Sequence, residues 1–343
     1  MISNHPLRRR QQIVKRAIGA IVPLVLFTYL NNTSQFSSPR SGSASVFAHR
    51  GVGQRYDIPI ESNTCTATHL LTPEHEYLEN TIPSMRAAFD RGANVVEFDI
   101  HPTTDGRFAV FHDRTLECKT NGSGLTRTHT MEELKRLDIG YGYTFDGGHT
   151  YPFRGKGIGL LPSMDEVFQE FPGRAFLIDV KDNEPPDAAL LAEHLSRLPR
   201  EQLSRITIFA RDATLAMLRE RLPSLRLFSV GSITNCLIRY IAYGWTGVVP
   251  ARCYNSALFV PINVAPWLWG WPNRFMNRMN AAQSSVILMG AYPGREISPG
   301  LDTPENLARI PTNYDGGIWT NELDLVFSSL QRRGGALSRE SGP

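Results

Sequence analysis

The chain has 343 residues, of which 41% are hydrophobic and 20% are charged, and its formal net charge is +3. This length fits one large domain or two ordinary ones. The net charge comes from basic residues near the N-terminus: Arg8, Arg9, Arg10, Lys15 and Arg16. Without them the chain carries a net charge of −2. A body of this charge gives no reason to expect nucleic-acid binding.

The basic stretch precedes an apolar run at 17–30, and residues 1–30 contain no acidic side chain. The run is shorter than the roughly 17–25 residues of a membrane span. It matches the core of a signal peptide, which has about 7–15 residues. A cleaved leader and an uncleaved anchor both fit, and both predict an extracytoplasmic body, periplasmic or secreted. A buried N-terminal helix is the alternative.

Residues 31–45 are rich in Ser, Asn, Pro and Gly, which predicts a linker. We therefore expect residues 1–45 to be dispensable for folding, because the first predicted strand begins at Val46. The predicted domain boundaries are 1–30 for the leader, 31–45 for the linker, 46–333 for the folded body and 334–343 for a flexible tail.

Strand-like and helix-like segments alternate through the body, which predicts an α/β protein with a (β/α)₈ TIM barrel. The predicted strands are 46–50, 95–101, 175–181, 206–210, 225–230, 247–250, 285–289 and 316–320. The predicted helices are 82–91, 164–171, 186–198, 212–221, 233–243, 263–282, 304–309 and 322–332. A small insertion at about 104–161, after the second strand, interrupts this rhythm.

Candidate functional residues gather where barrel strands end. Glu97 and Asp99 are two residues apart on an apolar strand, so both side chains point to the same side. Two such carboxylates repel each other unless a cation lies between them, and carboxylate oxygens suit Mg²⁺ or Ca²⁺. Asp179 and Lys181 share a face at the end of the third strand. The carboxyl ends of barrel strands form one rim, where active sites lie.

Two histidines complete this predicted site. His49 and His112 can divide the work of acid and base, because imidazole titrates near neutral pH. Arg50 and Lys181 are candidate ligands of phosphate oxygens, with charge balance for the carboxylates as the alternative role. Glu79 is a candidate partner of Arg50. Asn80 and Thr81 are explained by helix capping.

The ordered set of motifs resembles the glycerophosphodiester phosphodiesterase family over roughly residues 46–333. The matching segments are Ala48-His49-Arg50-Gly51, Glu79-Asn80-Thr81, Glu97-Phe98-Asp99, Thr104-Asp105-Gly106, His112-Asp113, Leu161-Pro162-Ser163, Ile178-Asp179-Val180-Lys181 and Asp315-Gly316-Gly317-Ile318-Trp319-Thr320. Asp179 departs from the usual Glu of the family. Asn321-Glu322-Leu323 stands where an Asp-Pro element is normal.

The resemblance implies metal-dependent hydrolysis of a glycerophosphodiester to an alcohol and glycerol 3-phosphate. One divalent cation, Mg²⁺ or Ca²⁺, would bind Glu97, Asp99 and Asp179, with His49 and His112 as acid and base. A phospholipase D acting on lysophospholipid or sphingolipid is the second hypothesis, since related lipases also place Asp at the third metal position. The third is a barrel that only binds phospholipid headgroups.

Two further features leave alternatives open. An aromatic segment at 259–279 contains Trp267, Trp269 and Trp271 and suits either an acyl chain near the rim or a helix packed on the barrel wall. The four cysteines fit an oxidising compartment. A disulfide between Cys65 and Cys118 and free thiols are equally consistent with the sequence.

Overall fold

The computed structural model describes residues 5–38, 42–57, 65–294 and 299–339. Eight parallel strands form a nearly closed barrel, consistent with the predicted TIM barrel, and a ninth strand (β3) pairs antiparallel with β2. The strands are β1 Ser45–Ala48, β2 Val95–Pro102, β3 Phe108–Val110, β4 Ala175–Val180, β5 Ile206–Phe209, β6 Arg226–Phe228, β7 Ala257–Pro261, β8 Ser285–Met289 and β9 Gly317–Thr320.

The barrel strands run in the order β6-β5-β4-β2-β1-β9-β8-β7. Among the residues that the structure describes, no hydrogen-bonded ladder joins β6 to β7, so the sheet has a seam at this point. Aromatic stacking crosses the seam, because the ring centroids of Phe228 and Phe259 lie 5.2 Å apart. The seam is therefore closed by side chains inside the barrel instead of by backbone hydrogen bonds.

The predicted sixth strand at 247–250 is wrong. This segment follows a short 3₁₀ helix, Gly244–Thr246, and leads into another, Ala251–Cys253. Pro250 lacks the N–H group that a central strand needs. The sixth barrel strand is β7, Ala257–Pro261, which the sequence prediction had assigned in part to the aromatic segment. The other seven predicted strands agree with the structure within two residues at most ends.

Helices surround the barrel and connect its strands. They are α1 His5–Asn32, α2 Ile82–Asp90, α3 Met131–Lys135, α4 Met164–Glu170, α5 Pro185–Ser196, α6 Arg200–Leu203, α7 Asp212–Arg221, α8 Val230–Tyr243, α9 Asn273–Ala281, α10 Pro304–Ala308 and α11 Leu323–Arg339. Ser163 and Glu166 form a capping box that fixes the start of α4. Thr303 caps α10, with Pro304 in its first turn.

The insertion at 104–161 builds a small core of its own beside the rim. Its buried side chains include Leu116, Met131, Leu134, Tyr143 and Phe153. Cys65 and Cys118 form a disulfide that ties the insertion to the segment before α2, and Cys236 and Cys253 form a second disulfide. All four cysteines are therefore paired. Of the two alternatives for Cys65 and Cys118, the structure contains the disulfide.

The helix α1 stands outside the barrel. Its segment Arg10–Asn32 has 23 residues and a mean hydropathy of 1.8, and it is 0% buried within the protein. The alternative of a buried N-terminal helix is therefore wrong. A helix of this length and composition can cross a membrane, which is also the character of a signal sequence.

The segment that follows α1 contacts the barrel. Side chains of Ser34 and Asn277 donate hydrogen bonds to the Gly270 carbonyl and to Ser37 Oγ, at 2.8 and 2.9 Å. Asn273 Nδ2 donates to the carbonyl of Ser37 at 3.2 Å. Residues 34–37 therefore pack on the start of α9, although their composition predicts a linker.

These contacts make a prediction about truncation. Removing residues 1–27 should leave the free energy of unfolding unchanged, because the described side chains at 10–27 are exposed. Removing residues 1–42 should lower it by about 2 kcal/mol, since several net hydrogen bonds of roughly 0.5–1.5 kcal/mol each are lost. Urea denaturation of both truncated chains measures the difference. Equal stability would show that residues 28–42 are dispensable.

Candidate active site

Three carboxylates converge inside the rim of the barrel. The strand β2 alternates so that Glu97 and Asp99 both point inward, and Asp99 is directly paired with Asp179 of β4. Ligand oxygens of Glu97, Asp99 and Asp179 lie within 4.8 Å of one another. Glu97 and Asp99 are fully buried, while Asp179 is partly accessible. The three side chains therefore surround one point.

The protonation of these carboxylates reflects their crowding. Burial, followed by the nearby charge of Asp99, raises the pKa of Glu97 well above its ordinary value. Burial also raises the pKa of Asp179. Burial acts in the same direction on Asp99, but Lys181 and Arg50 outweigh it and hold the pKa of Asp99 well below its usual range. A divalent cation among the oxygens would allow all three groups to be ionised, so the donor set fits a hard metal ion.

Arg50 is locked into the carboxylate cluster. Its backbone has a φ of 58°, in the left-handed region, and this turn lets its N–H donate to Glu97 Oε2 at 3.0 Å. Its guanidinium lies 3.2 Å from Glu79 and 3.1 Å from Asp99. The predicted pairing of Glu79 with Arg50 is therefore present. This double support leaves Arg50 little freedom to move.

Lys181 lies between two of the carboxylates. Its Nζ is 2.7 Å from Asp99 Oδ1 and 2.6 Å from Asp179 Oδ2. The structure therefore gives Lys181 the charge-balancing role that was the alternative to phosphate binding. Both roles are compatible, since the lysine has three donors on a flexible stem.

His49 follows β1 and faces Glu97. Its Nδ1–H donates to Oδ1 of Asn321 at 2.7 Å, and its Nε2 lies 3.9 Å from Glu97 Oε2. Asn321 is held in turn by Asp302, which accepts from its Nδ2 at 2.6 Å. The neutral ring therefore presents a free Nε2 lone pair to the cluster. Burial and the neighbouring Arg50 lower the pKa of His49 to about 3.

His112 lies across the site and has a charged partner. Its Nδ1–H donates to Asp113 Oδ1 at 2.7 Å. Burial and Arg50 lower the pKa of His112 to about 4, because they outweigh the opposing effects of Asp99 and Asp113. The two histidines thus differ in their support: a carboxylate stabilises the protonated form of His112, whereas only a neutral amide contacts the far side of His49.

A buried lysine joins the two halves of the site. Lys119 is 1% exposed, and its Nζ lies 2.7 Å from Glu79 Oε1 and 3.0 Å from Asp113 Oδ1. The positive charge of Lys119 reduces the repulsion between the carboxylates of Glu79 and Asp113. The two carboxylates in turn raise the pKa of Lys119, although burial opposes them. Lys119 therefore links Glu79, the partner of Arg50, to Asp113, the partner of His112.

Sequence reasoning missed several of these supporting residues. Asn80 does not cap α2, because Thr81 is the N-cap. Instead Asn80 donates to Asp99 Oδ2 at 2.7 Å and accepts from the backbone N–H of Asp99 at 3.1 Å. Asn80 has a positive φ of 60°. Asparagine is enriched in this conformation, and its residue type is the only sign of it in the sequence. Lys119, Asn321 and Asp302 were also missed.

His101 packs beneath this site. The sequence places it after Glu97 and Asp99 on β2 and suggests a supporting role. One ring nitrogen lies 2.6 Å from Asp182 Oδ2, and the other lies 3.3 Å from the carbonyl of His112. His101 thus contacts the backbone of His112 and is itself held by an acidic partner.

Comparison with known structures supports the fold. A glycerophosphoryl diester phosphodiesterase domain from Mycobacterium tuberculosis matches with a TM-score of 0.59 and 14% identity, over 84% of this chain and 99% of the other. An Oleispira antarctica phosphodiesterase, solved with the product sn-glycerol-3-phosphate, matches with a TM-score of 0.54 and 16% identity, over 84% of this chain and 96% of the other.

Curated relatives match shorter stretches of sequence. A glycerophosphodiester phosphodiesterase from Caldanaerobacter subterraneus is 34% identical over 105 residues, which is 30% of this chain and 39% of the relative. A mouse lysophospholipase D is 26% identical over 220 residues, 62% of this chain and 64% of the relative. The chain thus matches about two fifths of the length of the bacterial relative.

The family model covers most of the candidate site. Residues 49–234 match the model of the glycerophosphoryl diester phosphodiesterase family, and this range begins at His49 and includes every strand and loop from β2 to β6. The match spans more than half of the chain. The chain therefore belongs to the glycerophosphoryl diester phosphodiesterase family.

Proposed function

We propose that the protein is a phosphoric diester hydrolase that converts a glycerophosphodiester to an alcohol and glycerol 3-phosphate. The observation that carries this proposal is the convergence of three carboxylates, two histidines, Arg50 and Lys181 at one rim. The carboxylate ligands are Glu97, Asp99 and Asp179, for one Mg²⁺ or Ca²⁺ ion. The bound ion would polarise the phosphate and offset negative charge in the transition state.

The protein's own side chains perform the remaining steps. Arg50 and Lys181 bind phosphate oxygens that carry more charge in the transition state. His49 takes a proton at Nε2 from the nucleophile, either water or a neighbouring hydroxyl of the substrate. In its protonated form, His112 gives the Nε2 proton to the oxygen of the leaving alcohol, while its Nδ1–H stays hydrogen-bonded to Asp113. The bond between phosphorus and this oxygen breaks and releases a neutral alcohol. Attack by water gives glycerol 3-phosphate directly, whereas attack by the neighbouring hydroxyl gives a cyclic phosphate that water must then open.

Two other functions compete with this proposal. Hydrolysis of a lysophospholipid or sphingolipid headgroup uses the same site, and the printed name of the mouse relative, lysophospholipase D, favours it. A barrel that only binds phospholipid headgroups would not need two histidines with separate hydrogen-bonded partners. Such paired support is typical of acid–base catalysis.

One assay separates these functions. Purified protein should release p-nitrophenol from bis(p-nitrophenyl) phosphate, and a chelator should abolish the release. No release at any metal concentration would contradict a hydrolase and favour the binding barrel. Analysis of products from glycerophosphocholine and lysophosphatidylcholine then distinguishes the two hydrolases.

We also propose that α1 carries the body out of the cytoplasm, either as a leader that is removed or as an anchor. The basic flank before the apolar segment supports this orientation, because positive charge is retained on the cytoplasmic side. The two disulfides are consistent with an oxidising compartment.

Asp179 gives a specific prediction about the metal. It contacts Lys181 and also lies among the other carboxylates, so it is either a metal ligand or only the partner of the lysine. We expect Asp179→Asn to weaken metal affinity and to be partly rescued by higher metal concentration. Asp179→Glu, which keeps the charge, should be tolerated better. Metal titrations of activity check both variants, and an unchanged metal requirement in Asp179→Asn would contradict the ligand assignment.

A further inference from the structure

The end of α1 is fixed to one end of the barrel. Asn31 and Asn32 donate side-chain hydrogen bonds to the carbonyl of Trp245, at 3.0 and 2.7 Å. Arg278 donates to the carbonyl of Asn31 at 2.8 Å. Trp245 lies between the end of α8 and the start of β7, so this contact is at the end where the strands begin.

The catalytic rim is at the opposite end. His49, Asp99 and Lys181 lie where β1, β2 and β4 finish, and in a parallel barrel all strands finish at the same end. The helix α8, which runs back from the rim, has 14 residues and is therefore about 21 Å long. If α1 crosses a bilayer, its last residues mark the bilayer surface, and the rim faces away from it.

Exposed apolar side chains surround the attachment point. The exposed fractions are 62% for Ile238, 41% for Ile241 and 58% for Val248. We call these three residues the basal patch. Asn31 lies against Gly247, which immediately precedes Val248. The indole of Trp269 donates to the carbonyl of Ile241 at 2.8 Å, which brings the aromatic segment to the same place.

The second disulfide shows where this patch lies along the barrel axis. Cys236, in the middle of α8, is bonded to Cys253, which lies four residues before β7 begins. The half of α8 that carries Ile238 and Ile241 therefore lies at or beyond the end where the strands begin. Isoleucine and valine favour the apolar region of a bilayer over water.

We propose that the basal patch rests on the surface of the bilayer that holds α1, with the catalytic rim facing the aqueous phase. Given the hydrolase activity proposed above, the substrate is then a water-soluble glycerophosphodiester, not a lysophospholipid resident in the same bilayer. The position of Trp269 supports this substrate class, because its indole lies at the base and therefore does not line an acyl-chain groove at the rim.

Two positions on α8 form a matched pair for the test. Val230 and Ile241 are exposed at opposite ends of the helix, at 56% and 41%. The four native cysteines are disulfide-bonded, so Val230→Cys or Ile241→Cys supplies the thiol for an environment-sensitive fluorophore. Full-length protein is reconstituted into vesicles of phosphatidylcholine and phosphatidylglycerol. Spin-labelled lipids should quench the probe at Ile241 several-fold more than the probe at Val230, and aqueous iodide should show the reverse order.

Other results would overturn the docking. Lipid quenching at Val230 equal to that at Ile241 would place the whole side of the barrel on the membrane. Protection of the Ile241 probe from iodide in detergent, without lipid quenching in vesicles, would indicate that a second copy of the chain covers the patch. The variant Ile238→Ser with Val248→Ser should keep wild-type activity in detergent, while the probe at Ile241 should lose its protection from iodide in vesicles.

Activity in the same vesicles tests the substrate class separately. Hydrolysis of dissolved glycerophosphocholine should be equal in vesicles and in detergent, whereas lysophosphatidylcholine in the vesicles should be hydrolysed more slowly than in detergent micelles. Faster hydrolysis of the vesicle-bound lipid would overturn the substrate class. If neither compound is hydrolysed but the probes behave as expected, the proposed activity fails and the docking stands.

Discussion

Replacing either histidine with alanine should lower turnover by roughly 10²–10⁴, the usual contribution of a positioned acid or base. The side chains of His49 and His112 are supported by hydrogen bonds from the rim and contribute no large apolar core surface, so the fold should persist. Steady-state kinetics and circular dichroism measure both effects. His149→Ala, at an exposed position of the insertion, is the control and should retain full activity.

The leaving group distinguishes the two roles. A p-nitrophenolate leaves without a proton, so it does not need a general acid. The loss caused by His112→Ala should therefore be much smaller with a p-nitrophenyl diester than with glycerophosphocholine, while the loss caused by His49→Ala should be similar with both. The reverse pattern would exchange the assigned roles. Equal losses for both variants with both substrates would contradict a division of labour.

Of the variants considered, Lys119→Met should lower the free energy of unfolding most. The change leaves the carboxylates of Glu79 and Asp113 buried beside each other without the cation they share. Breaking a buried charge pair in this way costs about 3–5 kcal/mol. Activity should also fall, because Glu79 positions Arg50 and Asp113 positions His112. Denaturant unfolding and kcat measure the two effects.

Two variants serve as controls for Lys119. Lys156→Met removes an exposed lysine that pairs with Glu76 on the surface, and it should leave stability unchanged. Adding Glu79→Gln to Lys119→Met removes one of the two buried charges, so it should restore part of the lost stability. A double variant that is less stable than the sum of both single variants would contradict the shared-cation explanation.

The sequence predicts the barrel and the position of most candidate site residues within it. Alternation places Glu97 and Asp99 inside the barrel, because a two-residue period is a local property of a strand. The rule that parallel strands finish together then brings Asp179 and His49 to the same rim. These predictions need only strand direction and order, both of which the spacing of apolar segments indicates.

The supporting residues could not be predicted in this way. Lys119 reaches Glu79 and Asp113 only because the insertion folds over the rim, and Asp302 reaches Asn321 through an irregular loop. Neither has a periodic pattern around it. The wrong strand at 247–250 has a similar cause: Val248 and Val249 favour a strand, but the 3₁₀ turns on both sides place these residues outside the sheet.

The seam between β6 and β7 lies beside one of the two disulfides. The disulfide between Cys236 and Cys253 joins α8, which follows β6, to the segment just before β7, so a covalent bond spans the gap in the sheet. A chain retained in a reducing cytosol would lack this bond. Without the disulfide, β6 and β7 could move apart and expose two unpaired strand edges. Such edges pair readily with other chains. The export proposed above would thus protect the protein from self-association as well as bring it to its substrate.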